Sequence, residues 1–139
     1  MTMTMPAREL DRLSKSGLSP ADLENLDDDL AGRTVYDRMG EEIGTVEDAL
    51  VEPRRLRVPF LLVGWGGVLG IGRQQRLIPM EAVERIEADG VYLSRDKDLV
   101  VSALGYQDNM SVEDAEVHYA AVYDLYGITP YWMSQQPTT

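Results

Sequence analysis

Residues 64–73 read Gly64-Trp65-Gly66-Gly67-Val68-Leu69-Gly70-Ile71-Gly72-Arg73, with five glycines in the first nine positions. Such a run is either a cradle for phosphate or the connection between two strands, and the choice sets the fold class. The dinucleotide fingerprint needs G-x-G-x-x-G opening a helix. Counted from Gly64 its last position falls on Leu69, and counted from Gly70 on Gln75. A P-loop needs Gly-Lys-Ser/Thr, but the chain's two lysines are Lys15 and Lys97. Beyond the glycines, Arg76-Leu77-Ile78-Pro79 reads as a strand, so no helix dipole is there to hold an anion. The stretch is read as a loop joining strands.

Working outward, Leu56–Gly64 alternates Leu56, Val58, Phe60 and Leu62 onto one face, the period of a strand. Before it, Arg33–Asp37 and Ile43–Glu52 read as strands, separated by the turn Arg38-Met39-Gly40-Glu41. Gly44 marks a bulge or tight bend. After the glycines come Arg76–Glu81, then Val83–Ala88 and Gly90–Ser94 around the turn pair Asp89-Gly90. Six short strands with close turns predict a small antiparallel barrel or sandwich. Asp96–Leu104 reads as a short closing helix.

The flanks are helical in pattern. Pro6–Ser16 and a second start at Ser19-Pro20-Ala21-Asp22 are too short to stand alone. Ser111 caps a longer helix whose Val112, Ala115, Tyr119, Val122 and Tyr126 share one face, and Gly127 ends it. The expected organisation is an acidic helical extension at 1–31, a barrel at 32–104 and a helical extension at 105–139.

The chain has 139 residues, no cysteine and a net charge of −11. One domain with one real core fits that length. Disulfides, thiolate nucleophiles and cysteine zinc sites are excluded. The amino terminus lacks the apolar run of a signal peptide, and the longest apolar stretch is broken by glycine and proline, so no membrane span is expected and the cytoplasm is the default location. Residues 1–31 carry three basic and seven acidic side chains, and residues 105–139 none and five. Such flanks repel nucleic acid.

Chemistry-bearing patterns are sparse. Asp27-Asp28-Asp29-Leu30-Ala31-Gly32 departs from a calcium loop at Ala31 and at Arg38, where a bidentate glutamate is required. His118 is the sole histidine, which cannot build a histidine-rich metal site, and it reads as a residue of the helix surface or of an interface. The acids form surface runs, with no pair in apolar surroundings tuned for proton transfer. No catalytic residue, metal site or cofactor is expected. Tyr119, Tyr123, Tyr126, Tyr131 and Trp132 crowd the carboxyl end, with no basic residue beyond Lys97 to make a stacking platform for bases. Their helical face is expected to dock on the barrel of its own chain.

The segment Gly32-Arg33-Thr34-Val35-Tyr36-Asp37, then Gly40-Glu41-Glu42-Ile43-Gly44-Thr45-Val46-Glu47-Asp48, then a strand, a glycine loop and Leu77-Ile78-Pro79, resembles the PRC-barrel family over about residues 32–104. That family takes its name from the cytoplasmic domain of the photosynthetic reaction-centre H subunit. It includes the carboxyl domain of a ribosome-maturation factor and small bacterial proteins, some associated with stress. Pro59 departs from the pattern, since proline cannot donate to a ladder, and it predicts an edge or a bulge there. Neither the photosynthetic nor the ribosomal role carries over. The resemblance implies a small barrel that binds other proteins and brings no catalytic residues.

The expected function is a non-catalytic interaction module for a protein or peptide, in a bacterial stress setting. Its surface is expected to join Trp65, Val68 and Leu69 to an open edge beside Pro59, with Tyr131 and Trp132 as further candidates. The competing readings are a small-ligand or metal-ion binder and a homodimer built on the carboxyl-terminal aromatics.

Overall fold

The computed structural model describes residues 10–23, 26, 29–67 and 72–134. Its strands are β1 (Asp11–Arg12), β2 (Thr34–Tyr36), β3 (Glu42–Glu52), β4 (Arg57–Trp65), β5 (Gln74–Pro79), β6 (Val83–Glu87) and β7 (Gly90–Leu93). Its helices are α1 (Leu13–Ser16), α2 (Lys97–Ser102), α3 (Val112–Tyr126) and α4 (Tyr131–Ser134).

The protein is mainly β, and the expectation of a closed antiparallel barrel of six strands needs three corrections. The seven strands form one sheet of order β5-β4-β3-β2-β7-β6, with β1 beside β3, and the ladder does not close. β5 and β6 are its two ends because the 3-10 turn Met80–Ala82 carries the chain between them without pairing. β2 and β7 run parallel, Val35 opposite Val91 and Tyr36 opposite Tyr92. The extra strand arises because β2 pairs only with the first part of β3, through Thr45, Gly44 and Glu42. β1 takes the later positions, Asp11 opposite Val51 and Arg12 opposite Leu50. The predicted helix at 6–16 is therefore one short turn, α1, preceded by a strand, with residues 1–9 outside the described part.

The glycine stretch is the β4–β5 connection. The ladder between these strands ends at Trp65 opposite Gln74. Gly66, Gly67 and Gly72 have φ of 71°, 89° and 80°, values that a side chain disfavours. No helix follows; β5 does.

β4 is an interior strand. Its residues 59–64 are all buried, because β3 and β5 flank it and α3 packs against it. Phe60 carries the first contact, with its ring 5.4 Å from that of Tyr119 and 5.0 Å from that of Tyr123. The edge expected beside Pro59 is thus absent, since β3 and β5 flank β4 on its two sides. A bulge accommodates the proline instead: the register jumps from Leu50 opposite Phe60 to Glu52 opposite Arg57, and Pro59 has no partner in either ladder. Leu56, expected in the strand on one face with Val58, Phe60 and Leu62, lies in the preceding turn and is exposed. Gly44 sits at a second bulge, opposite Val35, where a side chain would strike the Gly64 carbonyl.

α3 follows its sequence signals. The Ser111 side chain accepts from the Asp114 amide at 3.1 Å, and Gly127 ends the helix with φ 68°. Ala115, Tyr119, Val122 and Tyr126 are buried as expected, whereas Val112 is exposed. The helix docks on its own chain. His118, read as a surface or interface residue, is 4% exposed.

Candidate functional site

The residues singled out from sequence are already engaged within the chain or lie beyond the described part. Trp65 is half-buried at the end of β4, with the Arg76 guanidinium 5.2 Å above its ring. Tyr131 is buried and Trp132 half-buried. The Trp132 ring meets Tyr123 and Tyr131, each at 5.4 Å, and Arg57 stands 4.8 Å over Tyr131. Pro59 is buried between strands. Val68 and Leu69 lie outside the described residues.

The open edge is elsewhere. Among the described residues, β6 pairs with β7 alone. The other end strand, β5, has part of its outer side occupied, since the Tyr106 amide donates to the Gln75 carbonyl at 2.9 Å. A bulge shapes β6: Val83 opposes Leu93, and then Arg85 opposes Tyr92. The one-residue insertion puts Val83 and Ile86 on the face of the buried Val91 and Leu93, although they are three residues apart. Both are half-buried. With Met80 and Leu26 they give apolar walls to an open groove of about 730 Å³.

The groove is acidic. Among the described residues, Glu81 and Glu84 are exposed along it and Glu87 just beyond its end; Arg85 lines it too, and Arg33 Nη1 donates to the Glu87 carbonyl at 3.0 Å. Arg85 is committed to Glu87 at 2.9 Å and lies 4.0 Å over the Tyr92 ring. Two copies of this edge brought together would repel, whereas an extended basic segment would be attracted.

The acids read from sequence as surface runs include three that the fold buries: Asp37, Asp48 and Glu52. Asp37 Oδ1 accepts from the amides of Met39 and Glu41, at 2.9 and 2.8 Å, and Oδ2 from the amide of Lys97, at 2.9 Å. Burial pulls its carboxyl upward, but the three N–H groups of Lys97, Glu41 and Met39 outweigh it and hold the group below its ordinary value. Asp48 accepts from Arg12 Nε at 2.9 Å and from the Ser14 amide at 3.1 Å, and also bonds the Ser14 hydroxyl. Both carboxylates fasten backbone segments. The signal for Asp37 was its place at the end of a predicted strand and before a turn, where aspartate bonds backbone two residues on. Among the described residues no three histidine, aspartate or glutamate side chains converge to hold a metal, and no helix is long and apolar enough to cross a membrane.

The single seven-stranded sheet, the Asp37 turn and the strand-glycine-strand connection make this a small, mainly β domain. The PRC-barrel domain model matches residues 23–100, more than half of the chain, and the chain belongs to that family. A protein of Deinococcus radiodurans described as an uncharacterized protein is 38% identical over 77 residues, 55% of this chain and 27% of that protein. The match thus spans about a quarter of that relative's length.

Proposed function

We propose that the chain is a non-catalytic interaction module that takes an extended, basic segment of a partner protein onto the outer edge of β6. The observation that carries this reading is the combination, at one place, of a strand paired on one side and an apolar groove under exposed glutamates. Strand addition supplies main-chain hydrogen bonds, and alternate side chains of the incoming segment select it. One set would enter between Met80, Val83 and Ile86; the other would meet Glu84 and Glu87. Action in the bacterial cytoplasm under stress, implied by the resemblance, belongs to the same proposal, as does any closer approach to a closed barrel through the added strand.

A labelled, capped peptide alternating lysine and valine tests this by fluorescence anisotropy, against the same peptide with glutamate for lysine. The lysine peptide binds, and added salt weakens it. Joint Glu84→Lys and Glu87→Lys substitution weakens it about fivefold to tenfold. Equal binding of the two peptides, or no effect of the charge reversal, contradicts the reading.

A further inference from the structure

A second cavity, of about 480 Å³, lies between β5, residues 104–110 and α3. Arg73, Arg76, Tyr106, Asp114 and His118 line it. Two buried nitrogens belonging to it have no hydrogen-bond partner among the described residues: Arg76 Nε and His118 Nε2. Buried polar atoms are as a rule satisfied, and each exception calls for a cause.

The two arginines differ in kind. Arg73 is ion-paired with Glu47. Arg76 Nη1 donates to neutral acceptors, the Gln74 side chain at 3.2 Å and the Gln75 carbonyl at 3.0 Å. Among the described residues no carboxylate lies within ion-pair distance of Arg76, although the chain carries 24 acids against 13 bases. The Trp65 ring beneath the guanidinium fixes its position and shields one face from water. His118 arrives from the opposite wall, 4% exposed, with the Tyr106 ring edge-on at 6.2 Å.

We propose that this cavity binds a small oxyanion, a carboxylate or phosphate group, between the Arg76 guanidinium and His118 Nε2. An oxyanion supplies the acceptor that Arg76 Nε lacks and the one that His118 Nε2 needs when it carries a proton, and a planar guanidinium suits its geometry. The charged and titratable groups facing the imidazole are Arg73 just before β5, Arg76 on β5, Tyr106 before α3 and Asp114 on α3 itself. Asp114 opposes an anion, but it is exposed at the rim, where water screens it. Burial first, and the Arg76 charge second, hold the imidazole below its ordinary value. A bound anion offsets the second effect, so binding and protonation of His118 reinforce one another.

His118 is the sole histidine, so its ring resonances report the site without ambiguity. The experiment follows its NMR titration in the full chain, in chloride, acetate and inorganic phosphate at equal ionic strength. The expected result is a saturable shift of the His118 ring and an upward move of its titration midpoint with at least one oxyanion. A response to both marks a general carboxylate or phosphate site, and a response to phosphate alone marks a phosphoryl site. Arg76→Gln abolishes the effect, and Arg76→Lys, which keeps the charge without the fork, retains part of it. Identical titrations in all three salts, or a saturable shift that survives in Arg76→Gln, overturn the proposal.

Discussion

The rings of Phe60 on β4 and Tyr123 on α3 meet with their centroids 5.0 Å apart and their planes inclined by 42°. Both residues are fully buried, and this contact packs the carboxyl-terminal helix on the sheet. The Tyr123 hydroxyl has no hydrogen-bond partner among the described residues, and burial pushes its pKa well above the ordinary value. Ring and hydroxyl should therefore separate on mutation. Tyr123→Ala is expected to cost about 3–5 kcal/mol in urea unfolding. Tyr123→Phe should be neutral or stabilising within about 1 kcal/mol, since it removes an unsatisfied polar group. A large loss from Tyr123→Phe would show that the hydroxyl has a partner.

Asp37 makes stability depend on pH. Its folded pKa lies below the ordinary value, which is about 3.9 for an unfolded chain. Its contribution is therefore complete above about pH 4 and is lost as the pH falls through the folded value. Asp37→Asn keeps one acceptor but turns an amide NH₂ toward a backbone donor. We expect a cost of about 2 kcal/mol at neutral pH, shrinking toward zero in acid. Urea midpoints of both proteins across the acid range measure the gap, and a constant gap would contradict the assignment.

Arg12 joins three segments. It reaches Asp48 on β3 at 2.9 Å and Asp108 before α3 at 2.7 and 2.8 Å. Asp48→Ala should release the β1–α1 segment while the sheet stays folded. Exchange of the Ser14 amide, which donates to Asp48, is expected to speed up about tenfold or more. Unchanged exchange there would show that Leu10 and its apolar neighbours hold the segment unaided.

The parts of the fold that were legible rest on local chemistry. The Ser111 cap, the Gly127 stop and the strand-glycine-strand stretch follow from backbone rules that act within a few residues. What stayed hidden depends on distant pairing. Two residues, Asp11 and Arg12, carry no strand periodicity, and their place is set by Asp48, far along the chain. The parallel pairing of β2 with β7 leaves no trace in either segment, so the free edge was sought beside Pro59 and lies at β6. The spacing of Ala115, His118 and Val122 does put the histidine on the buried face. Its polarity argued for the surface, and the cavity beside Arg76 is what accommodates it.

Amide hydrogen exchange of Val83–Glu87, with and without the lysine-valine peptide, tests the account at its centre. Strand addition on β6 predicts that those β6 amides not bonded to β7 slow about tenfold or more at saturation, and that joint Glu84→Lys and Glu87→Lys substitution removes the protection. If the peptide binds while β6 exchange is unchanged and protection appears instead at Trp65 and Gln74, the interaction surface is the glycine hairpin and the assignment of the β6 edge is wrong.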